Sequence, residues 1–136
     1  MHMTAKDINK IKNVLPPVFE KYGDVVTFAY LFGSTVRSTT YPSGDIDIAV
    51  FLSPKGCRSA FDIKLSLHAD MCRALKRNDV DALVLNTTIN LMLLDEIVRH
   101  GVVIYDANPD AREEYELKIL HQTIDFKTQR LAMMGV

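Results

Sequence analysis

The sequence predicts an α/β fold, in which helices pack on one small mixed sheet of about four strands. Two kinds of segment in the sequence lead to this prediction. Short runs rich in β-branched and aromatic residues, typical of strands, alternate with segments in which apolar residues recur every three or four positions, typical of amphipathic helices. The chain has 136 residues, which suits one domain, so we expect a single domain over residues 1–136.

The first half of the sequence predicts two strands with helices before and between them. Residues 4–22 have the apolar spacing of a helix, which the prolines Pro16 and Pro17 can split in two. Pro54 and Gly56 predict a loop after the second strand. The strands are predicted at 25–32 and 45–52, with a short helix beginning at Ser34 between them.

The second half continues the alternation with two more strands. The segment Asn86–Thr88 is typical of a helix start, and Gly101 of a helix end. Asn108 and Pro109 are typical of the first residues of a last helix. The predicted elements are a helix at 59–77, a strand at 80–85, a helix at about 89–99, a strand at 102–105 and a helix from 109 to about 130.

Apolar stripes predict which faces of the two longest helices are buried. One stripe is predicted to be the core face of the helix at 59–77. Two stripes occur in the last helix: the first is predicted to face the core, and the second either faces the core or docks a partner helix. The three stripes are, in this order, Phe61, Leu65, His68, Cys72 and Leu75; Leu117, Leu120 and Ile124; and Tyr115, Ile119 and Phe126.

Composition argues against several classes of protein. Hydrophobic residues make up 48% of the chain and charged residues 24%, with a formal net charge of -1. There is no excess of Lys and Arg to attract nucleic acid, and we expect no direct binding to it. No apolar run approaches the roughly 18 residues of a membrane span, and the N-terminus lacks the apolar core of a signal peptide. Cys57 and Cys72 have no metal-like spacing, so we expect reduced thiols in a cytoplasmic protein.

Two aspartates in the second predicted strand suggest chemistry. Because strand side chains alternate, Asp45 and Asp47 share one face, about 7 Å apart at Cα, while the opposite face is apolar. Carboxylates this close raise each other's proton affinity unless a cation lies between them. Oxygen ligands without His or Cys suit Mg²⁺, which combines carboxylates with substrate phosphate oxygens. The alternative is a pair of solvated acids at a strand edge.

Gly33 and Ser34 predict an anion site at the end of the first strand. A strand that ends at Gly-Ser and leads into a helix presents free backbone N–H groups and the positive end of the helix dipole, which suit a phosphate. Ser34 is also a typical helix N-cap, and that role is compatible with phosphate binding. Arg37, three residues further on, either contacts a phosphate or is simply solvated.

A third acid, Asp81, opens the third predicted strand. Three carboxylates can bind two metal ions, which stabilise the attacking and leaving oxygens of an in-line displacement. In that arrangement Asp81 would ligate the second metal and help to deprotonate the incoming hydroxyl. Asp79 is the alternative, but it precedes the apolar run and is expected to face water. Asp81 is otherwise an exposed acid at a strand start.

The pattern of Gly33-Ser34, ten residues, then Asp45-Ile46-Asp47 resembles the signature of the polymerase-beta-like nucleotidyltransferase superfamily. The segments "VDALVLN", "LLDEIVRHGVVIYD" and "REEYELKILHQTIDFKTQR" are similar to later parts of its minimal nucleotidyltransferase (MNT) antitoxins. The resemblance covers nearly the whole chain from about residue 20. One departure is Gly44, where these proteins more often have serine, and we expect it to affect turn geometry more than metal binding.

The resemblance implies a nucleotidyltransferase fold and a set of site residues. It assigns phosphate binding to Gly33 and Ser34, shared metal ligation to Asp45 and Asp47, and the role of third acid to Asp81. The implied cofactor is Mg²⁺, with two ions expected, and the implied substrate is ATP. Because all three acids are present, the chain does not resemble a degenerate copy.

The resemblance also implies a partner. MNT proteins pair with a HEPN-domain RNase toxin, so the chain is expected to be an antitoxin that forms a hetero-oligomer with its toxin and transfers AMP from ATP to a toxin tyrosine. We expect the acceptor surface to come from that second protein, because 136 residues leave no room for an acceptor domain. The alternatives are an antitoxin that masks the toxin by binding alone, and a nucleotidyltransferase acting on a small molecule such as an antibiotic.

Overall fold

The computed structural model describes residues 5–33 and 45–135. The predicted short helix from Ser34, and with it Arg37 and Gly44, lies outside these ranges. Within them the order of elements is the predicted one, with one additional short helix. The elements are α1 Ala5–Val14, α2 Pro16–Glu20, β1 Val26–Phe32, β2 Ile46–Leu52, α3 Pro54–Cys57, α4 Ala60–Leu75, β3 Val80–Val84, a 3₁₀ turn Leu85–Thr87, α5 Leu91–His100, β4 Val102–Asp106 and α6 Pro109–Met133.

The four strands form one mixed sheet, as predicted, in the order β3-β2-β1-β4. β1 is antiparallel to both β2 and β4, whereas β2 and β3 are parallel. The end of β1 and the starts of β2 and β3 therefore lie at the same end of the sheet, which we call the acid end. It carries Gly33, Asp45, Asp47 and Asp81.

Each face of the sheet is covered by its own core. The even-numbered apolar residues of β2 are buried on one face, with Leu15 and Phe19 from the first two helices and Met71 from α4. On the other face Phe28 and Ala49 are buried with Ile97 from α5 and Ile119 from α6. The second core covers the part of the acid-bearing face that lies away from the acid end. At the acid end itself, Asp45 and Asp81 are exposed.

The core face of α4 differs from the prediction. Of the predicted stripe, Leu75 is buried and Cys72 packs against the core. The structure buries Leu67 and Met71 instead of Phe61 and Leu65, which are 71% and 54% exposed. Both sets have helical spacing, so the spacing alone did not distinguish them. Docking against β3 and α2 selects the first set.

The first stripe of α6 was wrongly predicted to face the core, whereas the core alternative for the second stripe holds for Tyr115 and Ile119. Tyr115 and Ile119 are buried in the second core, whereas Leu117 and Ile124 are more than half exposed. Phe126, expected beside Tyr115 and Ile119, is exposed as well. The structural reason is that the side of α6 facing Phe28 and Phe51 is the one that bears Tyr115.

Two smaller features differ from the sequence prediction. The predicted loop after β2 contains α3, because Ser53 caps it by accepting a hydrogen bond from Gly56 N and because Pro54 is tolerated in a first helical turn. The cap of α5 is Asn90, whose side chain accepts from Leu93 N. Within the described part of the chain, no helix has the length and hydropathy of a membrane span.

Candidate functional site

The register of the sheet brings two of the predicted acids side by side. Asp47 in β2 is the partner of Phe32 in β1 on one side and of Asp81 in β3 on the other. Neighbouring strands lie about 4.8 Å apart, and residues paired in register point to the same face, so the two side chains stand next to each other. Asp45 precedes β2 by one residue and belongs to the same face by alternation.

Gly33 allows the Asp47 carboxylate to approach the backbone at the end of β1. Its φ is +88°, a region that residues with a Cβ rarely adopt. A Cβ built at this position would lie 2.5 Å from Asp47 Oδ2 and 3.3 Å from its Cγ. We expected this glycine to admit a phosphate. In the structure the group against its Cα is a carboxylate.

The surroundings of Asp47 disfavour the negative charge of its carboxylate. The pKa of Asp47 is raised above its usual value, first by burial and then by the charges of Asp81 and Asp45. Asp47 is half-buried, whereas the other two acids are exposed. A cation between the carboxylates would reverse the effect of the two neighbouring charges.

A hydrogen-bonded turn sets the position of β3 against β2. Arg77 donates to both oxygens of Asp79, at 2.7 and 2.6 Å, and this pairing lowers the pKa of Asp79. The carbonyl oxygen of Asp79 accepts from Ile46 N at 2.8 Å. The rival third acid is thus engaged by an arginine, and its backbone ties the start of β3 to the residue between Asp45 and Asp47.

Arg77 is a neighbour of the site that the sequence analysis did not identify. The hydrogen bond to Asp79 raises the pKa of Arg77, and the charge of Asp45 adds to this effect. The available signal was its spacing from Asp79, two residues further on. That spacing places the two side chains together only because Lys76, in the left-handed conformation at φ 56°, turns the chain out of α4.

Partly buried polar contacts hold α6 on the acid-bearing face. The hydroxyl of Tyr30 donates to Glu116 Oε2 at 2.5 Å, and Tyr30 is 1% exposed. Arg112 bridges Glu116 and Asp106, at 3.0 and 2.7 Å. Burial and the carboxylate of Glu116 raise the pKa of Tyr30, so this hydroxyl is a hydrogen-bond donor at neutral pH.

The structure therefore gathers Gly33, Asp45, Asp47 and Asp81 at one end of the sheet. Ser34 and Arg37 lie outside the described residues. As the side chains stand, no group of three or more His, Cys, Asp and Glu in the described ranges is close enough to hold a metal ion. The arrangement still fits a divalent cation in its donor chemistry, because the acids supply hard oxygens without His or Cys and repel one another.

Comparison with known proteins identifies the family. The sequence profile of the polymerase beta nucleotidyltransferase family matches residues 9–110, which is most of the chain. The chain therefore belongs to the polymerase beta nucleotidyltransferase family, and this part of the predicted resemblance is confirmed. No curated protein sequence matches the chain.

Solved structures share the fold. A chain of a crystal structure of a toxin–antitoxin MntA–HpeT mutant superimposes with a TM-score of 0.67 at 20% identity, over 91% of this chain and 95% of that one. A chain of a toxin–antitoxin structure with AMP-PNP gives 0.63 at 23% identity, over 93% and 94%. A chain of the toxin–antitoxin MntA–HepT gives 0.65 at 19% identity, over 93% and 96%. Identities this low establish the fold alone.

Proposed function

We propose that the chain is an antitoxin nucleotidyltransferase, which neutralises a partner HEPN-type RNase toxin by transferring AMP from ATP to one of its tyrosine hydroxyls. Family membership supports the class of reaction. The three solved structures compared above are toxin–antitoxin proteins, one of them with an ATP analogue, which supports the partner and the nucleotide. The proposal takes residues 1–136 as one minimal nucleotidyltransferase domain acting in the cytoplasm.

The observation that carries the proposal is the register of Asp47 against Asp81, with Gly33 packed on Asp47. Packing a carboxylate into a half-buried position beside a second acid raises its pKa and is unfavourable for folding. Such a cluster is a candidate functional site on physical grounds, because perturbed pKa values concentrate where charge is used.

The proposed roles are those that the sequence and the family resemblance imply. Asp45 and Asp47 would hold Mg²⁺, with two ions expected, and Asp81 would hold the second ion. When bound, Mg²⁺ supplies positive charge to the triphosphate and to the reacting oxygens. Gly33 and Ser34 would bind the phosphates through backbone N–H groups and the serine hydroxyl, with Arg37 as a further phosphate contact.

The proposed reaction is an in-line displacement at phosphorus. The tyrosine oxygen of the acceptor attacks the α-phosphorus of ATP, a new O–P bond forms, and the bond to the bridging oxygen of pyrophosphate breaks. Pyrophosphate leaves with the electron pair of the broken bond. The phenolic proton is accepted by the carboxylate of Asp81, the exposed acid next to Asp47.

Radiolabelled ATP tests the proposal directly. The chain is incubated with Mg²⁺, ATP labelled in its α-phosphate and the purified HEPN-type partner, and label on the partner is counted. We expect transfer by the native chain and its loss, by at least about 100-fold, in the double variant Asp45→Asn with Asp47→Asn. A matched control is Asp62→Asn, an exposed acid in the first turn of α4, which should retain the native rate.

Two outcomes would refute catalysis by this site. One is unchanged transfer by the double variant. The other is no transfer by the native chain to the partner, combined with full protection of cells by a variant in which all three acids are changed to asparagine. The second result would identify an antitoxin that masks its toxin by binding alone. Transfer to a small hydroxyl compound without the partner would instead indicate a small-molecule nucleotidyltransferase.

A further inference from the structure

The C-terminal part of α6, after Thr123, is exposed along its whole length. The helix has 25 residues, which corresponds to about 37 Å. Thr123 is its last buried residue, and every residue from 124 to 135 is exposed. We call residues 124–134 the α6 arm. A helical segment of this length is marginal on its own in water, so packing against another surface would stabilise it.

The arm presents apolar side chains in a regular pattern. Ile124 and Leu131 are seven residues apart, as are Leu117 and Ile124, so all three lie on one side of the helix. They are 56%, 54% and 51% exposed in chain order from Leu117. Met134 extends the stripe by one turn and is 65% exposed. Regular exposed apolar stripes of this kind are typical of helix-to-helix or helix-in-groove contacts.

The charges beside the stripe favour a foreign, acidic partner over a second copy. Between Leu117 and Gly135 the basic residues are Lys118, Lys127 and Arg130, and Asp125 is the one acid. This excess of positive charge contrasts with the net charge of -1 of the whole chain. Two arms packed together would bring like charges into proximity. An apolar surface flanked by carboxylates complements both the apolar stripe and the positive charges of the arm.

The direction of α6 links the arm to the acid end. The helix begins at the opposite end of the sheet, where Ala107 N donates to Thr27 O at the start of β1. By Glu116 it has reached Tyr30, three residues further along β1. It therefore advances toward the acid end, and about 25 Å of helix follow Glu116, compared with about 10 Å of strand between Tyr30 and Gly33.

From these observations we infer that the α6 arm, continued by Leu117, is the surface on which the acceptor protein docks, and that this protein offers an apolar helix or groove flanked by acidic residues. The inference rests on the proposed function for the identity of the acceptor. It assigns to α6 the task that a separate acceptor-binding domain performs in a larger enzyme: it holds the acceptor beside the acid end.

Paired variants on two helices test the inference. The arm variant combines Ile124→Asp with Leu131→Asp. The control variant combines Phe61→Asp with Leu65→Asp on α4, where the side chains are 71% and 54% exposed. Binding of each purified protein to the purified HEPN-type partner is measured by calorimetry. We expect the arm variant to bind at least about tenfold more weakly and the control variant to bind like the native chain.

Additional measurements separate this inference from the proposed function. The arm variant alone should bind AMP-PNP with Mg²⁺ and unfold thermally like the native chain, because neither side chain is buried. If it transfers AMP to the partner and binds it with native affinity, the docking inference is overturned while the proposed function stands. If native and control chains bind the partner through the arm but transfer nothing, the proposed catalysis fails and the docking inference stands.

Charge and self-association give two further outcomes. Reversing the flanking charges with Lys127→Glu and Arg130→Glu should weaken partner binding and reduce its dependence on salt. The assignment of the arm to a foreign acidic partner would be overturned if the native chain did not bind the partner. It would also be overturned if sedimentation showed a homodimer of the native chain that is absent in the arm variant.

Discussion

Replacing Gly33 by alanine tests whether this glycine determines the position of the Asp47 carboxylate. A Cβ at residue 33 would lie 2.5 Å from Asp47 Oδ2, and Cβ atoms essentially never approach a neighbour within 3.0 Å. The carboxylate must therefore move by at least about 0.5 Å, the difference between those two distances. Alanine also pays about 1–2 kcal/mol for the positive φ of +88°.

Both effects are measurable in Gly33→Ala. We expect the free energy of unfolding in urea to fall by about 1–2 kcal/mol from the backbone term, with a further loss from the displaced side chain. Because a misplacement of about 1 Å can lower a rate about 100-fold, we expect AMP transfer to fall by about tenfold to 100-fold. The stability measurement is independent of the proposed activity.

Gly23 provides a matched control for the backbone term. Its φ is +60°, and an added Cβ would meet nothing within 4 Å. Gly23→Ala should therefore lose similar stability from strain and keep the native transfer rate. Equal stability and equal transfer in the two alanine variants would refute the steric reasoning. So would an undiminished cost of Gly33→Ala in an Asp47→Ala background, where the clashing carboxylate is gone.

Three further predictions concern stability. Because the pKa of Asp47 is raised above 3.8, Asp47→Asn should make the metal-free protein more stable than the native chain at neutral pH. This advantage should disappear as the pH falls through the raised pKa toward 3.8. Chemical unfolding at several pH values measures the difference. Tyr30→Phe should cost about 1.5–3 kcal/mol in urea unfolding, because it removes the hydrogen bond from the buried Tyr30 to the carboxylate of Glu116, and a loss below 0.5 kcal/mol would contradict the assigned bond. Asn86→Ala should cost about 1–2 kcal/mol by the same measurement and leave transfer unchanged, because Asn86 pairs with both N and O of Leu52 at 2.8 Å, far from the acid end.

The sheet and its acids could be predicted from the sequence because their signals are local. Alternation of apolar residues places Asp45 and Asp47 on one face without reference to any other element. The strand positions followed from runs of β-branched and aromatic residues. The parallel pairing that sets Asp81 beside Asp47 is different, because it depends on how β3 returns across the sheet after α4, and the spacing of the acids does not encode it.

The buried faces of α4 and α6 could not be predicted in the same way. Each helix carries more than one apolar stripe, and the spacing of Phe61 and Leu65 is as regular as that of Leu67 and Met71. The choice is made by the surface on which the helix docks. The Arg77–Asp79 pair was equally inaccessible, since it requires the turn after α4 to bend in the left-handed conformation at residue 76.

The hydrogen bond from Ile46 N to Asp79 O has a consequence for how the protein can diverge in sequence. A register slip of one residue would turn Asp81 to the opposite face, and a slip of two would move it by about 7 Å. That bond fixes the pairing of β2 with β3 at the acid end itself. The positions of the acids therefore do not depend on how many residues connect the two strands. Insertions at the exposed junction of Arg58 and Ser59 should accumulate freely among homologues, whereas the short stretch from Arg77 to Asp81 should keep its length.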